Sequence, residues 1–363
     1  MGRTVVVVGG GYGGAALAKA LDREADVVLV EPKDAFLHAA GSLRALVRPD
    51  WAGNIFFPYA RLLRRGTVVR ERAVSADPGG VTLASGRRVD ADYLVLASGS
   101  SYPYPAKMDT DGSGDALEGL RATHKELAGA ARVLITGAGP VGLELSGEIK
   151  AVWPDKHVTL LDPAGELMPG FSPEMRKALR HQLDALGVEL RLNTSLPEPP
   201  PAEPGTLAPF TAATTDGGAI SADIWFRCHG VRPNSDYLDG DLTTTRTARG
   251  HVRVTGTLNV EGHDHVYAIG DLTDLNEAKM AGHAMRHAEV VAQNILAQVR
   301  GEPPTAIYHP SDISTIILPL GPNGGVGQIP SPEGPTVLPA SAVSERKGAD
   351  LYTGRFARLF GTT

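Results

Sequence analysis

Residues 4–14 read TVVVVGGGYGG, an apolar run from Thr4 to Val8 that leads into the glycine-rich turn Gly9–Gly14. The arrangement recurs much later in the chain, where RVLIT at 132–136 leads into GAGPVG at 137–142. Each turn fits the pattern G-x-G-x-x-G between a predicted strand and a predicted helix. A single match of this kind is weak evidence. Two in one chain predict an α/β fold with two Rossmann-like units.

The glycines of each turn have separate tasks. The first allows a tight turn, the second lets the backbone approach a pyrophosphate, and the third lets the helix pack on the strand. A pyrophosphate then lies on the free N–H groups at the helix N-terminus. Glu31 ends the run Val27–Val30 and Asp162 ends Val158–Leu161, where a carboxylate can accept ribose hydroxyls. The alternative is two turns of no chemical meaning; the acids favour two bound dinucleotides and hydride transfer between them.

Composition excludes several classes of protein. The 363 residues suffice for two or three domains, and a net charge of −6 offers no basic surface for nucleic acid. The single cysteine, Cys228, excludes an intrachain disulfide and a redox-active cysteine pair. A core strand beginning by Thr4 argues against a signal peptide, and Val6 stands where myristoylation needs Ser or Thr. We expect a cytoplasmic protein without a metal site and with at most peripheral membrane contact, and the sequence leaves a homodimer open.

The whole chain divides into three regions. We expect residues 1–105 and 223–300 to form one dinucleotide-binding domain, 106–222 the second, inserted domain, and 301–363 a small C-terminal α+β region. The predicted elements are strands at Val68–Ala76, Tyr93–Ala97, Ile224–Cys228 and His265–Ile269, a helix at Pro173–Leu186 between Ser172 and Gly187, a β-ribbon within Phe210–Ile220, and a long helix after Lys279. In the third region we expect one apolar strand, Ser314–Leu318, and a short C-terminal helix.

These signals, in this order, resemble the two-dinucleotide-binding-domain flavoproteins of the glutathione-reductase-like superfamily. Gly9–Gly14 with Glu31 is similar to their FAD turn, and Gly137–Gly142 to their NAD(P)H turn. Tyr93–Gly99 resembles their strand ending in A-T-G, with Ser98 for Thr. Gly230-x-x-Pro-Asn234 resembles their second hinge, and Val266–Asp271 their second FAD motif, in which the Asp meets the ribityl chain.

Within that superfamily the chain looks most like the ferroptosis suppressor and apoptosis-inducing-factor-like NAD(P)H:quinone oxidoreductases. The similar stretches are Phe36–Ala45 (F-x-H-x-x-x-x-L-R-A), Lys279-Met280-Ala281 with His287, Gly324–Ile329 around G-V-G-Q-I, and Lys347-x-x-Asp350-Leu351-Tyr352. This resemblance implies electron transfer from NAD(P)H through FAD to a quinone. Disulfide reductases and sulfide:quinone reductases need cysteines that this chain lacks.

The expected cofactor contacts follow the matched motifs. For FAD they are Gly9, Gly11, Tyr12, Gly13, Gly14, Glu31, Pro32, Lys33, Arg44, Val74, Ala97, Ser98, Gly99, Gly270, Asp271, Lys279, Met280 and Ala281. For NADH they are Gly137, Gly139, Pro140, Val141, Gly142, Glu144, Asp162 and Gly230. Asp162 would repel a 2′-phosphate and no Arg follows it, so we expect NADH, with NADPH as the alternative that Lys156 and His157 keep open.

Glu144 and Lys279 are the chief catalytic candidates. In the superfamily the glutamate reaches the nicotinamide and the flavin edge; otherwise it is a first-turn acid that favours the helix dipole. Lys279 would stabilise negative charge on reduced flavin, or is a solvated lysine. His38 and His287 are candidates to protonate a quinone oxygen, although a lone histidine is more often structural. Tyr12 either covers the flavin edge or packs.

Three other functions are consistent with the same motifs. An NADH:ferredoxin reductase or an NADH oxidase would use the same cofactors, and an apoptosis-inducing-factor-like scaffold would sense NADH without fast turnover.

The C-terminal residues Tyr352, Phe356, Leu359 and Phe360 fall on one helical face. That face either docks on the flavin domain, which we favour, or lies on a membrane.

Overall fold

The computed structural model describes residues 2–362. The first part of the chain alternates short strands with two helices. The strands are β1 (Thr4–Val8), β2 (Asp26–Val30), β3 (Ala35–Leu37), β4 (Phe56–Pro58), β5 (Thr67–Val69), β6 (Ala73–Asp77), β7 (Gly80–Leu83), β8 (Arg88–Asp90), β9 (Tyr93–Leu96) and β10 (Ser100–Ser101), and the helices are α1 (Tyr12–Leu21) and α2 (Ser42–Val47). The single strand expected at Val68–Ala76 is wrong. It is two strands of different sheets, β5 beside β2 and β6 beside β7.

The second glycine turn belongs to a separate parallel sheet. Its region holds α3 (Ser113–Gly129), β11 (Arg132–Thr136), α4 (Pro140–Val152), β12 (His157–Leu161), α5 (Pro173–Ala185), β13 (Val188–Arg191), β14 (Phe210–Ala213), β15 (Ala219–Ala222) and β16 (Ile224–Arg227). The sheet order is β13-β12-β11-β16, and β14 and β15 form the predicted ribbon. The Ser172 hydroxyl caps α5 by accepting from the Met175 N–H, as the sequence predicts.

The boundary expected at residue 222 is wrong by one strand. β16 pairs in parallel with β11, joining Val133 to Ile224, so it closes the second sheet. Its apolar residues would suit either domain, and only the pairing assigns them. The chain returns to the first domain after this strand, through β17 (Arg232–Pro233), β18 (Val266–Ala268) and α6 (Ala281–Val299).

The first domain is discontinuous in sequence. Its parallel sheet has the order β18-β9-β1-β2-β5, so β18 lies beside β9 although the second domain separates them along the chain. The two connecting segments meet as an antiparallel ribbon of β10 and β17, with Ser100 opposite Pro233. Both glycine turns therefore lie at carboxyl ends of parallel strands, the edge where α/β sheets bind ligands.

The C-terminal region contains more strand than the sequence indicated. It has β19 (Ile316–Leu320), β20 (Gly324–Ser331) and β21 (Gly334–Leu338) in one antiparallel sheet, followed by α7 (Ala340–Val343), a π-helical turn at Ser344–Gly348, and α8 (Thr353–Phe360). The expected single strand lies two residues later than predicted. Gly324–Ile329, the stretch around G-V-G-Q-I, lies wholly within β20, and its glycines allow close pairing with β19: a Cβ on Gly325 would lie 2.7 Å from the Pro319 Cα.

The last helix docks on the first domain, the alternative that we favoured. Phe356 and Phe360 are 3% and 0% exposed. Phe360 stacks on Phe36 and Phe57, with ring centroids 4.8 and 5.9 Å apart. The apolar face of α8 is therefore buried in the protein.

Candidate functional site

The two glycine turns have nearly the same backbone geometry. Gly9 and Gly137 adopt φ values of +104° and +102°, which L side chains rarely reach. A Cβ on Gly9 would lie 2.5 Å from the Ala97 carbonyl oxygen, and one on Gly137 would lie 2.6 Å from that of Cys228. Each first glycine is thus required by its φ value and by the neighbouring strand.

The remaining glycines separate the packed side of each turn from the open side. A Cβ on Gly14 or Gly142 would overlap the carbonyl oxygen of Gly9 or Gly137. By contrast, a Cβ on Gly11 or on Gly139 would meet nothing within 4 Å. Both second glycines therefore face open space at a helix N-terminus, the geometry that a pyrophosphate needs. The residues present fit two dinucleotides, with Pro140 and Val141 opening α4 in the second turn.

The two acidic residues match each other as well. Glu31 accepts from the Gly10 N–H at 2.6 Å and from the Lys33 N–H at 3.0 Å. Asp162 accepts from the Ala138 N–H at 2.7 Å and from the Ala164 N–H at 2.8 Å. Burial raises the pKa of Glu31, opposed by these N–H groups. Each carboxylate is thus held beside its own glycine turn, where a ribose would lie.

Lys33 and Pro32 follow Glu31 at the first turn. The Lys33 ammonium donates to the Thr110 carbonyl at 2.6 Å and to the Met108 carbonyl at 3.3 Å, and lies 3.8 Å from Asp111. The side chain fastens the segment after β10 to the first domain. Its backbone N–H, which donates to Glu31, is its link to the first glycine turn. Val74, on β6, is 50% exposed. FAD contacts for Pro32 and Val74 stay predictions.

Lys156 and His157 lie at the amino end of β12, the end opposite Asp162, and are bound to other groups. The Lys156 ammonium donates to the carbonyls of Ala128 and Ala130, and His157 Nε2 lies 3.0 Å from Glu189. Arg191, on the neighbouring strand, donates to Glu189 at 2.7 Å. None of these three side chains hydrogen-bonds to Asp162, and burial lowers the pKa of His229, the imidazole that the Asp162 charge reaches.

The turn after β18 brings Asp271 to the first domain's carboxyl edge. Its Oδ2 accepts from the Ser100 hydroxyl at 2.6 Å and lies 3.7 Å from the Lys107 ammonium. Burial lowers the pKa of Lys107, while Asp271 opposes the shift. Sequence reasoning missed Ser100 and Lys107, because nothing in their local pattern marks them as partners of a residue so distant in the chain.

The Ala97-Ser98-Gly99 turn is fastened to the second hinge. The Ser98 hydroxyl donates to the Asn234 carbonyl at 2.7 Å, and the Asn234 side chain donates back to the Ser98 carbonyl at 2.9 Å. Gly230, with φ of +93°, lies just before this contact. The motif similar to A-T-G and the second hinge, both matched in the sequence, therefore meet in space.

Glu144 has a partner that the sequence did not indicate. The Lys347 ammonium, from the π-helical turn, donates to Glu144 at 2.7 Å and to the Ile317 carbonyl at 3.1 Å. Both side chains are largely buried, 12% and 14% exposed. Burial raises the pKa of Glu144, and the Lys347 charge opposes this. The pair joins α4, just inside the second turn, to the C-terminal region.

Arg44 forms a second buried ion pair on the same helix. Its guanidinium lies 2.7 Å from Glu148 and donates to the Ala349 carbonyl at 3.0 Å; both charged side chains are 3% exposed. All these acceptors are protein groups. The expected FAD contact of Arg44 has no support in them, and the residue instead ties α2, α4 and the C-terminal region together.

His38 and Tyr12 form one network. The Tyr12 hydroxyl accepts from the Ala40 N–H at 3.1 Å and lies 2.9 Å from His38 Nδ1, while His38 Nε2 lies 2.5 Å from the Leu351 carbonyl. Because a carbonyl can only accept, Nε2 carries the proton and Nδ1 accepts from Tyr12. Burial lowers the pKa of His38 to about 4. The imidazole is thus held neutral and links the first turn to the C-terminal region.

His287 does not face the open side of either turn. Its Nδ1 accepts from the Gly270 N–H at 3.0 Å and its Nε2 lies 2.8 Å from Glu277. The side chain is 1% exposed. The prediction that His287 protonates an acceptor has no support in these contacts, because both ring nitrogens are bound to protein groups.

Lys279 also turns back onto its own loop. Its ammonium donates to the carbonyls of Thr273 and Leu275, both at 2.9 Å. Burial lowers its pKa, and Glu277 and Asp271 oppose the shift. The predicted direct action on a flavin has no support in these contacts. Met280 is the N-cap residue of α6 and Ala281 is its first residue; their FAD contacts stay predictions.

Cys228 is a packing residue, as expected. It is 3% exposed, and burial raises the pKa of its thiol to about 12. Its backbone carbonyl accepts from the Tyr102 hydroxyl at 2.6 Å. Burial therefore disfavours a thiolate at this position.

No helix among residues 2–362 combines the length and the apolar character needed to cross a membrane.

Known proteins share this arrangement. Residues 3–292 match the family of pyridine nucleotide-disulphide oxidoreductases. Ferroptosis suppressor protein 1 of Taeniopygia guttata is 32% identical over 366 residues, covering 99% of this chain and 96% of that protein. Apoptosis-inducing factor homolog B of Dictyostelium discoideum is 29% identical over 374 residues, covering 98% and 96%.

Among solved structures, the sulfide:quinone oxidoreductase of Aquifex aeolicus has a similar fold. The TM-score is 0.76 with 18% identity, and the match covers 98% of this chain and 90% of that one. At this identity the likeness concerns the fold alone.

Proposed function

The chain belongs to the pyridine nucleotide-disulphide oxidoreductase family and is an FAD- and NAD(P)H-dependent oxidoreductase; from that premise we propose that NADH is its electron donor and a quinone or quinone-like compound its acceptor. The observation that carries the proposal is the pair of matching cradles, Gly9–Gly14 with Glu31 and Gly137–Gly142 with Asp162, each open at its second glycine. When bound, FAD supplies the redox chemistry between the two substrates.

The geometry of the second cradle supports NADH rather than NADPH as the electron donor. Asp162 accepts two backbone N–H bonds, so it is held where an unmodified ribose diol can donate to it. A 2′-phosphate would bring negative charge against this carboxylate, and Lys156, His157 and Arg191 are bound elsewhere.

Side chains of this protein orient the bound nucleotide and exclude water during electron transfer. Glu144 and Lys347 form a largely buried pair one helical turn beyond the second cradle, where they can orient the reactive end of a bound nucleotide. Tyr12, one residue after Gly11, packs edge-on against Phe36 and Phe356 and helps to exclude water from the first cradle.

The acceptor reacts without help from a protein thiol. Cys228 is buried and its pKa is raised, so electrons pass to the acceptor without a cysteine intermediate. The resemblance of Phe36–Ala45 and Lys347–Tyr352 to the quinone reductases supports a quinone among the acceptors that need no thiol.

Stopped-flow spectrophotometry tests the proposal. NADH should bleach the bound FAD absorbance in one phase, and a soluble quinone should restore it faster than oxygen or a ferredoxin does. Fastest reoxidation by oxygen would identify an NADH oxidase instead, and fastest reoxidation by ferredoxin a ferredoxin reductase. A long-lived NADH complex that no acceptor reoxidises would favour the sensing scaffold.

A further inference from the structure

The loop between the Gly270-Asp271 turn and α6 contains a buried carboxylate that the proposed function does not use. The Glu277 side chain is 4% exposed. His287 Nε2 lies 2.8 Å from its Oε1, the Tyr308 hydroxyl donates to its Oε2 at 2.6 Å, and His283 Nδ1 lies 3.3 Å from Oε2. Burial raises the pKa of Glu277, but the bonds from His287 and Tyr308 outweigh burial and leave the pKa below its ordinary value. The group is therefore a carboxylate that only accepts.

The hydrogen bonds decide which nitrogen of His287 holds the proton. The Gly270 N–H donates to Nδ1 at 3.0 Å, so Nδ1 carries no proton. In a neutral ring the proton is then on Nε2, which donates to Glu277. Glu277 thus favours the one tautomer of His287 that can receive the Gly270 N–H.

Gly270 begins the turn that presents Asp271 at the carboxyl edge of the first sheet. Its φ of +71° shows that the turn is tight, and its backbone N–H has His287 as its partner. The first glycine turn lies against the same place: a Cβ on Gly13 would lie 3.0 Å from the Ile269 side chain and from the Ala284 carbonyl. A change at Gly270 would therefore alter both the Asp271 carboxylate and the packing under the first cradle.

We propose that Glu277 is a positioning residue for FAD, acting through His287 to hold the Gly270-Asp271 turn in its binding shape. This inference rests on FAD binding at the first cradle, part of the proposed function, and is independent of the acceptor. Tyr308 supplies a matched control, because its hydroxyl binds the same carboxylate but has no bond to the Gly270 turn.

The experiment compares Glu277→Leu, Glu277→Gln and Tyr308→Phe with the wild-type protein. Each is loaded with FAD, and the dissociation rate is followed by the recovery of free-flavin fluorescence after dilution. Glu277→Leu removes the acceptor for His287 and should release FAD on the order of tenfold faster. Glu277→Gln keeps an oxygen acceptor and should stay within about threefold of wild type, as should Tyr308→Phe.

A second measurement shows which ring nitrogen of His287 carries the proton. In protein labelled with ¹⁵N-histidine, His287 of the wild type and of Glu277→Gln should show a bare Nδ1 and a protonated Nε2. In Glu277→Leu the two tautomers should mix. A purely structural loss of stability would leave the tautomer unchanged.

Three results would overturn the inference. One is a proton on Nδ1 of His287 in the wild type, which needs no variant to fold. Another is an unchanged release rate in folded Glu277→Leu. The third is equal acceleration by Glu277→Leu and Tyr308→Phe, which would make the cluster a general support of the fold. Wild-type protein that binds no FAD at all would instead defeat the proposed function.

Discussion

At the scale of single residues, each charged side chain of the site hydrogen-bonds to the backbone groups that surround it. Glu31 and Asp162 accept hydrogen bonds from N–H groups of the glycine turns, each beside the open side of its cradle. Lys279 meets carbonyls and bends back onto its loop. Backbone groups thus decide which side chains remain available for a ligand, and two predictions follow from individual residues.

Asp162→Ala should reduce discrimination between the nucleotides. Losing the ribose acceptor should lower kcat/KM for NADH by about tenfold, the equivalent of about 1.4 kcal/mol, while NADPH changes less or improves. The measurement is steady-state kcat/KM with both nucleotides. Glu166→Ala is the control, because Glu166 is a nearby acid that pairs with Arg176 outside the cradle. A wild-type preference for NADPH would contradict the assignment.

His38 should affect stability rather than titrate during turnover. Its folded pKa of about 4 lies below the ordinary value of 6.5, so between these pH values the unfolded chain binds a proton that the folded chain refuses. The free energy of unfolding should therefore fall as pH falls through this window, by up to about 1.4 kcal/mol per pH unit from this group.

Urea unfolding at pH 7.5 and 5.0 measures this slope. His38→Asn should flatten it relative to wild type, whereas His181→Asn, at an exposed site on α5, should not. Equal slopes in His38→Asn and wild type would show that His38 titrates normally.

At the scale of elements, α8 closes the aromatic core of the first domain. Phe356 packs on Phe36 with ring centroids 5.3 Å apart, and Phe360 packs on Phe36, Phe57 and Tyr59. A face buried in this way is not available to a lipid surface. The left-handed residues Leu351 and Tyr352, with φ of 54° and 63°, turn the chain into this position.

Phe360→Ala should cost about 3–5 kcal/mol of stability, because a fully buried aromatic ring leaves a cavity. Thermal or urea unfolding measures the loss, with a substitution at an exposed position of the same helix, Arg358→Ala, as the control.

We also expect the wild-type protein to remain in the supernatant when it is centrifuged with anionic vesicles. Pelleting with vesicles together with an unchanged stability of Phe360→Ala would indicate a membrane-facing helix.

At the scale of the whole molecule, the C-terminal region holds the two nucleotide-binding domains together. α4 presents Glu144 to Lys347 and Glu148 to Arg44, so one helix of the second domain is bonded to both of the other parts. Breaking a buried pair by removing one partner is costly, because the other charge is left without compensation. The two cradles therefore belong to one assembled unit, and their roles can be separated by substitution.

Gly11→Val and Gly139→Val should disable different halves of the reaction. A side chain at either glycine would fill the open space where a pyrophosphate is expected. Gly11→Val should purify without FAD. Gly139→Val should keep FAD that dithionite reduces and NADH does not.

The control for both is Gly53→Val, an exposed glycine whose Cβ would also meet nothing within 4 Å. Absorbance spectra before and after each reductant distinguish the cases. Loss of FAD from Gly139→Val, with Gly11→Val still yellow, would reverse the assignment of the two cradles.

The sequence alone determined the parts of this protein that depend on neighbouring residues. A strand, a glycine turn, a helix and a following acid lie within a short stretch, and glycine is the residue that most readily adopts the tight turn at positions 9 and 137. For that reason both cradles, their acids, the capped helix after Ser172 and the family resemblance could be inferred without coordinates.

Only the tertiary structure decided which distant groups meet. β16 could be assigned only by its pairing with β11, and Lys347 only by its contact with Glu144. His287 and Lys279 had suitable chemistry for a reaction, yet their hydrogen bonds lead to Glu277 and to loop carbonyls. The physical reason is that a side chain's role depends on partners brought together by folding, and sequence spacing does not encode those distances.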